Sequence, residues 1–190
     1  LTRNNGFAGL QKFVHDISAE ILSLPINGRF TTLPHFPPPP WSRCRSCHAR
    51  RNNLLQPRAL LLGVKIFSEN FKISRNFHFT VHSLNENESK KLNQKTFNIN
   101  KPTDVLSFPL YNDIEAINQL DQSMHEDMGD MFICRNVIKK NAEIYDKDFV
   151  EELQYIVIHG LLHLIGYSHE KNDKLKTYES KLMKKIWNES

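Results

Sequence analysis

The chain has 190 residues and a hydrophobic content of 39%, enough for one domain with a real core and some additional length. Its net charge of +4 comes from the front, because residues 1–60 contain 8 Lys/Arg and only 2 Asp/Glu. The remaining residues are nearly neutral, so bulk charge does not predict that they bind nucleic acid. No apolar stretch approaches the roughly 20 residues that span a membrane. Three cysteines, an odd and low number, favour a reducing compartment over a disulfide scaffold.

Residues 1–60 are predicted to be a poorly ordered extension, and residues 61–190 the main domain. Within the extension, apolar side chains recur at helical spacing over residues 6–24, which predicts an amphipathic surface helix; a targeting or docking helix is the alternative. Residues 25–60 contain a polyproline run followed by five arginines with almost no acidic neighbours. This composition is typical of a linker, an arm that binds RNA, or part of an organelle transit segment.

A C-x-x-C-H pattern, the sequence to which haem is attached, occurs in this extension as Cys44, Cys47 and His48. No secretory signal precedes the pattern, and no apolar pattern that would form a packed pocket surrounds it. Two cysteines could supply half of a zinc site, but the chain has no second pair to complete one. We therefore interpret the pattern as a chance match in a segment of low order.

Between residues 77 and 134 the sequence alternates between strand and helix patterns. His78 and His82 share one face of the first strand, where we expect surface positions rather than metal ligands. Asn85 can cap the helix that follows. Cys134 could approach a site, although a buried, inert thiol is more common. The predicted elements are a strand at 77–84, a short helix at 85–93, a polar loop at 96–102, a strand at 104–108, an acidic excursion at 111–128 and a strand at 129–134.

Three helices are predicted in the last third of the chain. The strongest covers residues 149–165, where apolar side chains keep a 3.6-residue period around much of the circumference, as in a central buried helix. Asp148 is placed to cap its first turn. Weaker patterns predict helices at 136–145 and at 171–187, the latter with an apolar stripe of Leu175, Tyr178, Leu182, Met183 and Ile186.

Three histidines at the end of the central helix carry the clearest chemical signal. His159 and His163 are four residues apart, so both imidazoles point from the same face of the helix. Gly166 is typical of a helix that ends in a left-handed turn, from which the chain can return to bring His169 alongside. Three imidazoles with one open position form a catalytic zinc site, so we predict one Zn²⁺ ion here. Ordinary core or surface histidines are the alternative.

The same spacing occurs in the metzincin proteases, which carry a general-base glutamate directly after the first histidine. Gly160 occupies that position in this chain and cannot take a proton from a metal-bound water. The protease mechanism therefore lacks its base, although another hydrolase that uses the same metal remains an alternative. Imidazole also suits nickel, iron and copper, so the ligands alone do not fix the metal.

Four stretches of the sequence form a set: Leu92-Asn93, Lys101-Pro102-Thr103-Asp104-Val105-Leu106-Ser107-Phe108-Pro109, Gly129-Asp130 and His159–His169. In order and spacing they resemble the YbeY endoribonucleases, also called rRNA maturation RNases. The resemblance covers residues 77–187 and excludes residues 1–60. The second and fourth stretches are each specific, and together they are hard to obtain by chance.

The resemblance implies an α+β fold: a small mixed sheet with surrounding helices and a zincin-like central helix that carries the metal ligands. It implies one Zn²⁺ held by His159, His163 and His169, and metal-dependent cleavage of single-stranded rRNA. The family's activity serves maturation of the 3′ end of 16S rRNA and ribosome quality control. Implied partners are the small ribosomal subunit and its associated proteins, in the cytoplasm and without a membrane. An organelle is the alternative if residues 1–60 are a transit segment.

Two positions depart from the family pattern. Phe97 stands where the family usually has a functional arginine, so a ring that can stack on a base replaces a phosphate clamp. Ser168 replaces an aspartate before the third histidine; its hydroxyl can hydrogen-bond but is a poor base. Neither change removes a metal ligand. The alternative function is a zinc-containing ribosome-associated factor with weak or no catalytic activity.

The three histidines are expected to act in catalysis by holding a metal that lowers the pKa of its bound water to near neutrality. Ser168 and Lys101 are the further catalytic candidates, and Lys95 is a second lysine that could replace the missing arginine. Ordinary surface lysines are the alternative for both. Ser107 is expected either to contact the RNA backbone or to complete strand hydrogen bonds, and Asp104 to brace its loop.

Overall fold

The computed structural model describes residues 20–25, 57–73, 76–121, 123–169 and 174–189. Over these ranges the chain forms four strands and six helices. In chain order they are β1 (Glu20–Pro25), α1 (Pro57–Phe71), β2 (Phe77–Leu84), α2 (Glu86–Phe97), β3 (Val105–Pro109), α3 (Ile114–Asn118), β4 (Glu126–Cys134), α4 (Arg135–Ile144), α5 (Phe149–Leu164) and α6 (Lys174–Glu189). Among the helices of the described ranges, none is long and apolar enough to cross a membrane.

The four strands form one mixed sheet in the order β1-β2-β4-β3. β2 and β4 are parallel, whereas β1 pairs antiparallel with β2 and β3 pairs antiparallel with β4. The segment between the two parallel strands contains α2, β3 and α3, and it places β3 on the far side of β4. These features confirm the predicted α+β fold with a small mixed sheet and surrounding helices.

A glycine shapes β4 where its pairing with β2 changes register, between His78 and Thr80. Gly129 has a φ of +126°, and a Cβ there would lie 2.2 Å from the backbone oxygen of Phe108 on β3. Only glycine can adopt this conformation so close to the neighbouring strand. Asp130 follows directly, so the irregularity determines from which face of the sheet its side chain projects.

The two faces of the sheet carry cores of different size. α1, α5 and α6 pack on one face, where Phe77, Phe79 and Val81 of β2 are buried. α2 packs on the other face, over a smaller cluster of Leu84, Leu92, Leu106 and Phe132. The alternating pattern at 77–84 is therefore confirmed as a strand with one side in each core.

α5 is the central helix of the larger core, as its periodicity predicts. The Asp148 carboxylate caps it by accepting a hydrogen bond from the backbone N–H of Val150 at 2.7 Å. The chain turns at Gly166, where φ is +91° and a Cβ would lie 2.2 Å from the backbone oxygen of Asn112. The predicted cap and the predicted left-handed helix end are both confirmed.

The remaining predicted elements are confirmed with shifted ends. The helix expected at 85–93 extends to Phe97 and begins with a capping box. In this box the Asn85 side chain accepts from the Glu88 N–H at 3.0 Å, and the Glu88 carboxylate accepts from the Asn85 N–H at 2.8 Å. The excursion expected at 111–128 contains α3 and the first residues of β4.

The sequence pattern misses two elements. α1 begins at Pro57, before the predicted domain start, and packs in the larger core. Glu20–Pro25 is strand β1 rather than the end of a helix at 6–24, because it pairs with an edge of β2 that would otherwise be open. Residues 1–19 and 26–56, including Cys44, Cys47 and His48, lie outside the described residues. The domain boundary at residue 60 therefore stays a prediction.

Candidate metal centre

α5 and the turn that follows it bring three imidazoles together. The Nε2 atoms of His159 and His163, one helical turn apart, are 3.1 Å from each other. The ring centroid of His169 lies 5.2 Å from that of each of the other two. One ring nitrogen from each histidine lies within 4.8 Å of the others. The three residues predicted as ligands are therefore close together. His159 and His163 lie on α5, and the turn at Gly166 brings His169 beside them.

The surroundings of His163 determine which of its nitrogens is available. Its Nδ1–H donates to the backbone oxygen of Tyr167 at 2.7 Å, because a carbonyl oxygen can only accept. Burial lowers the pKa of His163 to about 4, and the neighbouring His159 acts in the same direction. The ring is therefore neutral at pH 7, and the lone pair of Nε2 is available to a metal.

His159 is held in a similar way by a different element. Its Nδ1 lies 2.5 Å from Oε1 of Glu179, a buried residue of α6, so Nδ1–H donates to the carboxylate. The Tyr155 hydroxyl approaches the other oxygen of Glu179 at 3.5 Å. Burial, followed by the charge of Glu179, raises the pKa of Tyr155 to about 12, so this hydroxyl keeps its proton. The hydrogen bond at Nδ1 leaves Nε2 of His159 directed at His163.

These imidazoles fit a zinc ion. Two Nε2 lone pairs that face each other at 3.1 Å repel unless a proton or a cation lies between them. Tetrahedral zinc, with Zn–N bonds of about 2.0–2.1 Å, holds two nitrogens about 3.3 Å apart, close to this separation. His169 is exposed, so the cluster is open to solvent, as a catalytic site requires. Metal binding itself stays a prediction.

Gly160 is the point at which α5 comes closest to the sheet. A Cβ there would lie 2.6 Å from Cε and 3.0 Å from Sδ of the buried Met131, and 3.1 Å from Oγ of Ser107. A glutamate at this position would have to displace the end of the Met131 side chain and would crowd Oγ of Ser107, so the packing here favours a residue without a side chain. Oγ of Ser107 is itself buried and has no hydrogen-bond partner in the described part of the chain, so it does not present a hydroxyl to solvent.

Ser168 and Lys101, the further catalytic candidates, lie in two different loops. Ser168 is half-buried next to His169, and Lys101 is exposed between α2 and β3. Within the described ranges, no hydrogen bond or ion pair joins either side chain to the three imidazoles. The backbone oxygen of Lys101 accepts a hydrogen bond from the Asn93 amide at 2.8 Å, which ties its loop to α2. Catalytic roles for both residues stay predictions.

Asp104 braces the start of β3, as expected. Its Oδ1 accepts hydrogen bonds from the Val105 N–H at 2.8 Å and from the Thr103 hydroxyl at 3.1 Å. Its Oδ2 accepts from the Asn141 amide of α4 at 3.0 Å. The carboxylate thus fixes the loop between α2 and β3 against a neighbouring helix.

The prediction that His82 is a surface residue is wrong. It is only 2% exposed, its Nε2 lies 2.6 Å from Oδ1 of Asp130, and its ring stacks on Phe132 at 4.3 Å between centroids. The physical reason is that α2 covers this face of the sheet with a second core, so polar positions of the strand are also enclosed. A strand whose two faces are both covered does not follow from alternation alone.

Glu179 is the site residue that sequence reasoning missed. It lies within the apolar stripe of α6, next to Tyr178 and one turn from Leu175 and Met183. A lone carboxylate among buried apolar positions was the available signal, since such a group needs a partner when it is buried. The sequence did not show that the partner is His159, because that contact depends on how α6 packs against α5.

The fold and the site define a class of protein: an α+β domain with three convergent imidazoles at the end of a buried helix. Comparison with known proteins gives the particular family. A family model described as Endoribonuclease YbeY matches residues 58–189. The chain belongs to this family, which confirms the resemblance carried by the sequence motifs.

Individual relatives show the extent of the likeness. A Lactobacillus helveticus protein named Endoribonuclease YbeY is 37% identical over 105 residues, which are 53% of this chain and 60% of the relative. A Thermotoga maritima protein of the same name is 36% identical over 117 residues, 59% of this chain and 69% of the relative. A solution structure from Thermotoga maritima is 31% identical, with a TM-score of 0.46, and the match covers 70% of this chain and 83% of that one. The chain thus spans about three fifths of the length of the Lactobacillus relative.

Proposed function

We propose that this chain is a single-strand-specific, zinc-dependent endoribonuclease. The observation that carries the proposal is the convergence of His159, His163 and His169 in a chain of the YbeY family. We place the activity in maturation of the 3′ end of 16S rRNA and in ribosome quality control. The proposed partners are the small ribosomal subunit and its associated proteins. The proposed compartment is the cytoplasm, or an organelle if residues 1–60 are a transit segment.

The chemistry divides between the metal and the protein. When bound, zinc supplies a Lewis acid that polarises a phosphodiester and makes water a stronger nucleophile. The chain orients two of the ligands, because the backbone oxygen of Tyr167 and the carboxylate of Glu179 accept from Nδ1–H of His163 and His159. Because residue 160 is a glycine packed against the sheet, no general base directly follows His159. This favours a phosphodiester as the substrate over the peptide bond that metzincins cleave.

A basic surface on α2 supports RNA as the substrate. Phe97 at the end of this helix is 55% exposed, and a concavity of about 470 Å³ lies on the same helix. Ammonium groups bind phosphates and exposed rings stack on bases, the combination by which proteins hold single-stranded nucleic acid. The concavity is lined by Asn87, Lys90, Lys91, Gln94, Lys95 and Asn100.

The α2 surface and the helix α5, which carries two of the three histidines, lie on opposite faces of the sheet, with β3 between them. Residues 98–104 lead from α2 into β3, where Ser107 lies against α5 at Gly160, the residue after His159. A single strand held on α2 would therefore have to pass around the β3 edge of the sheet to reach the candidate metal centre. In this arrangement Phe97 contributes a stacking contact where the family usually has an arginine.

Replacing both Lys90 and Lys91 with alanine should weaken binding of single-stranded RNA and reduce its salt dependence. Each lost phosphate contact lowers the slope of log affinity against log salt by about 0.7, so we expect a decrease of about 1.4. Fluorescence anisotropy of a labelled oligonucleotide at several salt concentrations measures both quantities. The control variant, Lys176→Ala/Lys184→Ala, removes the same charge from exposed positions of α6. Equal slopes for the two double variants would exclude the α2 surface as the RNA-binding surface.

The proposed activity is tested by offering three substrates to the zinc-loaded full chain: a single-stranded RNA, the same RNA annealed to its complement, and an unstructured peptide. We expect cutting of the single strand alone. Equal cutting of the duplex would contradict single-strand specificity, and cutting of the peptide would identify a different zinc hydrolase. Bound zinc and binding to small ribosomal subunits, without any cutting, would establish the ribosome-associated factor instead.

A further inference from the structure

Glu179 reaches the candidate metal centre from a separate element. The histidines belong to α5 and the turn after it, whereas Glu179 lies in α6 and is only 7% exposed. Its Oε1 is 2.5 Å from Nδ1 of His159, a short, charge-assisted hydrogen bond. A carboxylate is costly to bury unless it is paired, so the contact with His159 is the main compensation for its position.

The two hydrogen-bonded ligands differ in what supports them. Nδ1–H of His163 donates to a neutral backbone oxygen, that of Tyr167, which belongs to the same turn. Nδ1–H of His159 donates to a carboxylate from another helix. A carboxylate holds the ring in one orientation and one tautomer, and it makes the opposite nitrogen a better donor to a metal.

We infer that Glu179 is a positioning residue of the candidate metal centre: it fixes His159 so that Nε2 faces the metal, and it strengthens the affinity for zinc. The inference rests on the proposed zinc centre and adds to it an outer residue that is not a ligand. It also gives α6 a part in the site, since the position of the carboxylate depends on the packing of α6 against α5. A purely structural tie between α5 and α6 is the rival role.

The test compares the zinc affinity of the full chain with that of three variants, by competition with a chromogenic chelator. Glu179→Ala should raise the Kd about 10–100-fold, the effect typical of losing an outer partner of a metal ligand. Glu179→Gln keeps an oxygen that can accept from Nδ1–H and should recover most of the affinity. The control, Tyr155→Phe, removes only the contact at 3.5 Å to the other carboxylate oxygen and should leave the Kd nearly unchanged.

Two further readouts separate positioning from a structural tie. Thermal unfolding of the metal-free proteins measures any loss of stability without zinc. The visible spectrum of the Co²⁺ form reports ligand geometry, and we expect it to change in Glu179→Ala and to return in Glu179→Gln. A Kd within twofold of the parent in Glu179→Ala, or an equal loss in both Glu179 variants, would overturn the inference while leaving the zinc centre intact. A parent chain that binds no zinc would overturn both.

Discussion

The His163→Ala variant should lose zinc affinity by at least about a hundredfold, beyond the 10–100-fold range for losing only an outer partner of a ligand. The substitution removes one of three imidazoles, and specifically the one whose Nε2 lies 3.1 Å from that of His159. Two remaining imidazoles, one of them on an exposed turn, cannot hold the ion at the same occupancy. Chelator competition on the purified full chain measures the change.

The matched control for this experiment is His125→Ala, which removes an exposed histidine from the segment before β4. It should bind zinc as tightly as the parent chain. Equal zinc affinity in the parent and both variants would show that the metal, if bound, is held elsewhere. Circular dichroism of both variants checks that the fold is retained, since His163 is partly buried.

Introducing the protease-type glutamate, Gly160→Glu, should destabilise the fold by at least about 3 kcal/mol rather than create a protease. The first added atom would already lie 2.6 Å from Cε of Met131 and 3.1 Å from Oγ of Ser107. The carboxylate would then have to displace the end of the Met131 side chain and enter the packed space between α5 and the sheet, where burying a charge is costly even beside the Ser107 hydroxyl. Denaturant unfolding of the metal-free proteins measures the loss.

Gly63→Ala is the control for the Gly160 substitution, because it adds a methyl group to another buried helical glycine. A Cβ there would meet Ile158 at 3.7 Å and Ile186 at 3.9 Å, which are ordinary contacts. Since alanine favours a helix over glycine by about 1 kcal/mol, this variant should be as stable as the parent or more so. Parental stability in Gly160→Glu would show that α5 does not approach the sheet as closely as the structure describes.

The parts of the fold that the sequence predicts correctly depend on local patterns. α5 follows from its apolar period, its cap at Asp148 and its end at Gly166, all of which lie within one stretch of chain. The convergence of His159 and His163 follows from helical spacing alone. β2 and the capping box at Asn85 are local in the same sense, so they need no knowledge of distant residues.

The parts that the sequence does not predict depend on contacts between distant segments. β1 is a strand because it pairs with β2, more than fifty positions along the chain, and no local pattern specifies that partner. His82 is buried because α2 closes a second core over its face of the sheet. Glu179 meets His159 through the packing of α6 on α5. In each case the deciding energy comes from tertiary structure, which overrides local preference.

Phe97, where the resemblance predicts an arginine, can be judged from its place in the fold. The residue lies at the exposed end of α2, the helix that carries the basic concavity, so its ring is accessible for the proposed stacking on RNA. With phenylalanine at this position, the three histidines converge and the hydrogen bonds that orient two of them are present. The candidate metal centre and the proposed RNA surface are therefore separate features, and each can be tested without the other.

The most direct test of a metal-dependent ribonuclease is whether RNA cleavage follows zinc occupancy. The full chain would be stripped with a chelator, and zinc would be returned in steps up to one equivalent while the cutting of single-stranded rRNA is measured. His163→Ala supplies the background. We expect no cutting by the stripped chain, a rise in proportion to bound zinc that levels at one equivalent, and none above background in the variant. Cutting that persists undiminished after stripping, or that is equal in His163→Ala, would contradict the assignment of the three histidines as the catalytic metal site.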